Sequence, residues 1–260
     1  SEAEAREDLV NTFSDASEAI SVNRFTRAIE LMAEVVARYP DEPRAYLLQG
    51  LIYDRVGEPD AAIDAYSQSI ALDPENDTPY NNRALVYGEI GEFDRALADH
   101  NQAIALGPDE PVNYVGRGFT YRDLGELDLA LADFSEAIRL DPQNITAYRR
   151  RGVIYAEQNA YELAITDLTT AFNLDPLNVD TLGERAVIYT LLGENDAAIA
   201  DFTEAIRLDP QTGTAYAGRG TIYLSRIIDG EADDFDVQVN ALIEDINQAY
   251  QDLRTAERLG

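Results

Sequence analysis

The sequence has 260 residues, 49 Asp plus Glu against 20 basic residues, and a formal net charge of −29. All of the basic residues are Arg; there is no Lys or Cys, and one His. These counts exclude disulfides, zinc–thiolate sites, Lys Schiff bases, phosphate-loop lysines and His-pair metal centres, and they leave no basic footprint for nucleic acid or an anionic membrane.

A hydrophobic fraction of 45% is that of a globular chain, and no apolar run approaches the length of a membrane span. Residues 9–42 open the chain with an apolar stripe, Leu9, Phe13, Ala16 and Ile20. A second stripe follows, Phe25, Ala28 and Met32, ended by Pro40. From there the pattern recurs every 34 residues. Pro40, Pro74, Pro108, Pro142, Pro176 and Pro210 form one series; Tyr53, Tyr87, Tyr121, Tyr155, Tyr189 and Tyr223 form another; Gly57, Gly91, Gly125 and Gly193 form a third, with Asn159 in the fifth slot. A fixed period of this size means a stacked array.

Within each unit the spacing predicts two helices, as over 46–56 and 60–72 in the second unit. The Gly, or Asn159, suits the left-handed residue that ends the first helix. The Leu-Asp-Pro segments end the second helix. Small residues recur where the helices approach: Gly50, Ala84, Gly118, Gly152, Ala186 and Gly220 on first helices, Ala62, Ala96, Ala130, Ala164 and Ala198 on second helices. Units of this kind span 9–42, 43–76, 77–110, 111–144, 145–178, 179–212 and 213–260, the last with an acidic insertion near 227–243. A single array covering 1–260 is expected.

The segment from Tyr114 to Pro142, YVGRGFTYRDLGELDLALADFSEAIRLDP, carries nearly the whole pattern of the tetratricopeptide repeat family. Residues 43–226 resemble it throughout. The first unit departs at Ala19, where the family has Tyr, and the seventh at its insertion. The resemblance implies an all-α, right-handed superhelical solenoid of about seven antiparallel helix pairs, with first helices lining a concave groove. It also implies a non-enzymatic scaffold that binds a peptide or protein segment there, without a cofactor.

Five Arg share one offset on first helices: Arg83, Arg117, Arg151, Arg185 and Arg219. Five Asp share one offset on second helices: Asp99, Asp133, Asp167, Asp201 and Asp252. The second unit lacks both, with Gln49 and Ala65 in those slots. Joint loss in one unit points to a structural ladder paired inside each repeat. By the resemblance, Arg44, Arg122, Arg149 and Arg150 lie on groove positions with Phe119 near them, a cationic patch suited to a carboxylate or an acidic peptide end. The family's chaperone-tail clamp of Lys and Asn is not matched, since Arg149, Val153, Leu85 and Val187 stand there.

His100 takes an offset held elsewhere by Tyr66, Phe134, Leu168 and Phe202, which predicts a packed side chain and not a ligand. The acidic insertion lacks the ligand spacing of a calcium loop, and no metal site is expected. Asn76 and Asn144 begin two glycosylation sequons where chance supplies about one, so they weigh little as a sign of glycosylation. The start at Ser1 and the absence of Cys fit an exported protein whose signal has been removed; acid richness without Lys fits the cytoplasm of a salt-adapted organism. Apolar stripes at both ends of the array allow a second expectation, head-to-tail stacking into a filament.

Overall fold

A computed structural model describes residues 2–229, 239–244 and 246–247. The chain falls into two compact units, Ser1–Asp141 and Pro142–Gly260, divided in the turn that ends the fourth repeat. The described residues are all-helical, without a strand.

The first unit holds four helix pairs: α1 (Glu2–Ser21) with α2 (Phe25–Arg38), α3 (Pro43–Arg55) with α4 (Pro59–Leu72), α5 (Thr78–Glu89) with α6 (Phe93–Leu106), and α7 (Pro111–Asp123) with α8 (Leu127–Leu140). The second unit holds α9 (Ile145–Glu157) with α10 (Tyr161–Leu174), α11 (Val179–Leu191) with α12 (Asn195–Leu208), and then α13 (Gly213–Asp229). Residues 239–244 and 246–247 are also helical. Much of the acidic insertion, and Ala249, Tyr250, Asp252, Leu253 and Ala256 of the expected last helix, lie outside the described residues.

The turns follow the chemistry of the sequence. Gly57, Gly91, Gly125 and Gly193 take φ of 76°, 79°, 79° and 76°, and Asn159 takes φ 59° in the equivalent slot. Asn23, one period before Gly57, does the same in the first unit with φ 57°. In this conformation the chain reverses within about three residues, because Gly and Asn tolerate it at little cost. Second helices end at Leu72, Leu106, Leu140, Leu174 and Leu208. Each is followed by one residue in non-helical backbone and then Pro, since the Pro ring disfavours helix in the residue before it. First helices start on Pro at N1 or N2, or under a side-chain cap: Asn144 Oδ1 accepts from Ala147 N at 2.9 Å and Asn178 Oδ1 from Thr181 N at 2.9 Å.

The interior runs between the paired helices. Ala62, Ala96, Ala130, Ala164 and Ala198 are fully buried, as are Tyr66, His100, Phe134 and Leu168. Tyr66 lies so close over Gly50 that a Cβ there would come within 2.5 Å of the ring. The small-residue column is thus a requirement of the ring it faces. Each pair also packs on its neighbour: α4 on α5 and α6 on α7 in the first unit, α10 on α11 and α12 on α13 in the second. First helices stand side by side, α3 with α5 and α5 with α7, and separately α9 with α11 and α11 with α13.

His100 is fully buried on α6, and neither ring nitrogen has a hydrogen-bond partner. Its ring packs over Gly116 of the next pair beside Asn81. Burial, reinforced by the Arg117 guanidinium, lowers its pKa from 6.5 to about 3. The unfolded chain takes up a proton near pH 6.5 while the folded one does not. This residue's contribution to stability is therefore intact above that pH and falls by about 1.4 kcal/mol per pH unit as pH drops toward 3. His100→Phe, the residue found at this offset in 134 and 202, removes the slope. Unfolding free energies of both proteins from urea titration at pH 7.5 and pH 5 should differ by about 2 kcal/mol more at the lower pH, in favour of the variant. An equal difference at both values would contradict this.

Candidate functional site

Arg83 donates to Asp99 through Nε at 2.7 Å and Nη2 at 2.9 Å. The same fork recurs from Arg117 to Asp133 at 2.8 and 2.7 Å, from Arg151 to Asp167 at 2.7 and 2.9 Å, and from Arg185 to Asp201 at 2.7 and 2.8 Å. The four carboxylates are buried. Asp252, the expected partner of Arg219, lies outside the described residues.

Pairing inside each repeat is only part of the arrangement. The remaining Nη1 reaches back to the second helix of the preceding repeat: Arg83 to Ser67 Oγ at 2.8 Å, Arg117 to Asn101 Oδ1 at 2.7 Å, Arg185 to Thr169 Oγ1 at 3.4 Å and Arg219 to Thr203 Oγ1 at 2.9 Å. The guanidinium groups of Arg83, Arg117 and Arg185 therefore each tie three helices, two of their own repeat and one of the preceding repeat. Aromatic rings on the same helix flank it at i−3 and i+4, Tyr80 and Tyr87 around Arg83 at 5.9 and 5.8 Å, Tyr114 and Tyr121 around Arg117 at 5.9 and 5.6 Å, Tyr148 and Tyr155 around Arg151 at 5.8 and 5.9 Å.

The face of the first helices has a different character from the cationic patch expected of it. Arg122 donates to the neighbouring Asp123 at 2.8 Å and lies 5.5 Å over the Phe119 ring. Arg149, in the second unit, forks onto Glu184 of α11 at 3.0 and 2.9 Å and also reaches Asp180 at 3.2 Å. Arg150 approaches Glu184 at 4.0 Å. These cations are held by acids of their own unit, and the Glu184 bonds keep Arg149 above its ordinary pKa. Arg44 is exposed at the start of α3.

What dominates this face in the first unit is an apolar column at one offset, Leu51, Leu85 and Phe119, with Leu51 and Leu85 each 37% exposed; in the second unit the same offset holds Val153 and Val187, the latter 51% exposed. In the first unit the column opens into a hollow of about 300 Å³ between α5 and α7, lined by Leu85, Gly88, Glu89, Phe119, Thr120 and Asp123. Phe119 stands edge-on to the buried Phe134, ring centroids 5.7 Å apart. Acids rim the same face: burial raises the pKa of Asp54, and burial together with Asp54 raises that of Glu89. Beneath them the Tyr66 hydroxyl is buried without a partner, its pKa raised by burial and by the carboxylates of Asp54 and Glu89.

Sequence reasoning noted Leu85, Val153 and Val187 as departures from a clamp and missed that they share one apolar offset. Their common 34-residue spacing was the available signal. Asn76 accepts from Thr78 N at 3.1 Å and Asn144 caps α9, so both sequon side chains already accept a backbone bond through Oδ1. Among the described residues no group of three His, Cys, Asp or Glu is placed to hold a metal ion, and no helix is long and apolar enough to cross a membrane.

Family models described as TPR repeat or tetratricopeptide repeat match residues 15–77, 65–98, 118–159 and 179–212, together more than half of the sequence. The chain belongs to the tetratricopeptide repeat family. Among solved structures it is similar to the APC/C hetero-tetramer Cut9-Hcn1, at 19% identity and a TM-score of 0.70 over 92% of this chain and 47% of that one. It thus spans about half the length of that relative. It is also similar to PilW, a type IV pilus biogenesis factor, at 18% identity and a TM-score of 0.71 over 79% of this chain and 96% of that one. YrrB, described as a TPR protein with an unusual peptide-binding site, aligns at 19% identity with a TM-score of 0.54 over 74% of this chain and 99% of that one. At these identities the likeness is one of fold. No curated protein matches the sequence.

The ladder yields a stability prediction. Asp133→Ala leaves Arg117, 21% exposed, without its fork, and should lower unfolding free energy by about 2 kcal/mol in urea titration. Arg117→Met with Asp133→Leu should recover most of that loss, because two apolar groups leave no buried charge. Glu136→Ala, which breaks the exposed pair with Arg139, should leave the midpoint unchanged. Equal effects of Asp133→Ala and Glu136→Ala would contradict the ladder's role.

Proposed function

We propose that the chain is a non-enzymatic interaction scaffold whose first-helix face binds an extended or helical segment of a protein partner. The observation that carries this reading is the first unit's partly exposed apolar column, Leu51, Leu85 and Phe119, with the hollow between α5 and α7. Apolar surface beside a hollow is kept where something docks. YrrB, a neighbour in fold, is described by its peptide-binding site; Cut9-Hcn1 is described as a hetero-tetramer. Both descriptions support binding as the role of this architecture.

In this reading an apolar side chain of the partner enters the hollow against Phe119 and Leu85. Arg122, stacked over Phe119, is the polar anchor beside it, with Arg44 at the start of α3. Arg149 and Arg150 serve the second unit's face and would have to exchange Glu184 for the partner's carboxylate. A single site of this size supports micromolar binding more readily than nanomolar, because ordering a peptide opposes the burial.

The test is a peptide selected against the wild-type protein from a random 12-residue display library, then measured by fluorescence anisotropy. Phe119→Ala and Leu85→Glu should each weaken it at least tenfold while circular dichroism is unchanged. Undiminished binding to both variants would overturn the assignment of the face.

A second reading, end-to-end association of copies, is favoured by exposed apolar residues near the two ends of the described array. These are Val10 at 64% and Val22 at 52% in the first unit, and Leu224 at 45% and Ile228 at 72% on α13. It predicts a mass that grows with concentration in light scattering at moderate salt. A constant monomer mass would remove it.

A further inference from the structure

The second repeat is the one regular unit without a rung of the ladder. Gln49 stands in the Arg slot, Ala65 in the Asp slot, and Ala33 where the preceding repeat supplies Ser67, Asn101, Thr169 or Thr203 to the other rungs. The two rings that flank a rung have nevertheless stayed. Tyr46 and Tyr53 occupy the i−3 and i+4 positions that Tyr80 and Tyr87 hold around Arg83, and Tyr114 and Tyr121 around Arg117.

Between them the structure has a hollow of about 260 Å³, lined by Tyr46, Gln49, Tyr53, Ala61, Asp64, Ala65 and Gln68. Asp64 is particular to this repeat. At its offset the others carry Ala98, Ala132, Thr166 and Ala200. The acid has in effect moved one residue, from the buried slot to an exposed one at the wall of the hollow.

From these observations we infer that the hollow between α3 and α4 is a binding site for an arginine side chain of a partner protein. The other repeats show in the same molecule what the two rings accommodate, a guanidinium within 6 Å of both centroids. Asp64 supplies the carboxylate, and the side-chain oxygens of Gln49 and Gln68 accept further N–H bonds. Arginine suits the slot better than lysine because its planar group meets rings on its faces and acceptors on its edge at once. This site shares no lining residue with the hollow between α5 and α7, and it does not depend on the groove reading.

The test is an NMR titration of the full chain with N-acetyl-arginine amide, at salt high enough to screen the net charge. The neutral isostere N-acetyl-citrulline amide runs in parallel. Saturable shifts should appear in the amides of 46–53 and 61–68 with the arginine probe and be at least tenfold weaker with citrulline, while those of Leu85 and Phe119 stay still. Gln49→Arg with Ala65→Asp installs the missing rung from within and should abolish saturation by filling the hollow. Asp64→Asn, an exposed change that leaves packing alone, should weaken the arginine probe at least threefold. Equal response to both probes, or an unchanged arginine titration in Asp64→Asn, would overturn the inference.

Discussion

A pair of helices twelve to fourteen residues long presents more apolar surface than it can bury against itself. Tyr66, His100 and Leu168 are fully buried because each lies in the seam of its own pair and is roofed by the next pair of the same unit. The seam tolerates these rings only where the facing backbone is bare, as at Gly50 under Tyr66 and Gly116 under His100. Every other feature of the molecule is arranged around that close approach. The positive-φ turn reverses the chain in the space available, the Pro after each second helix sets the next pair at a fixed step, and the rungs hold neighbouring pairs together at the edge.

The Arg rungs add to this in a particular way. A guanidinium has five donors, and one carboxylate uses two of them. From Arg83, Arg117 and Arg185 the remaining nitrogen crosses to the previous repeat of the same compact unit, so a pairing that looks internal to a repeat also sets the spacing between repeats. Net stabilisation by such half-buried pairs is modest, since desolvation opposes attraction. Their value lies in register: a slip of one residue in any helix would strand a charge. The second repeat, lacking its rung, is held by the apolar cluster of Ala62, Tyr66 and Val86, by the Ser69 Oγ bond to Pro43 O at 2.9 Å, and by the Arg83 bond to Ser67.

Much of the fold was legible in the sequence because it repeats. The helix ends, the turn conformation at Asn159 and the seam residues all followed from comparing equivalent slots. Asn23 escaped because the first unit departs from the pattern around it. The third bond of each rung escaped because its acceptor varies among Ser, Asn and Thr, which share chemistry but not identity. Arg149 was read as a groove cation, yet its partner Glu184 sits 35 residues away on α11 and follows no repeat. A pairing that occurs once leaves no periodic trace. The hollow at α5 and α7 depends on how far two helices stand apart, which composition does not encode.

The claim beneath all of this is that neighbouring pairs share one interior within a unit. It is tested most directly by native-state hydrogen exchange on Ala96→Leu, a substitution in the seam of α5 and α6 that overpacks it by roughly 1–3 kcal/mol. Protection should fall in α4 and α7 as well as in the altered pair. A loss of protection confined to α5 and α6, with α4 and α7 exchanging as in the wild type, would contradict the account.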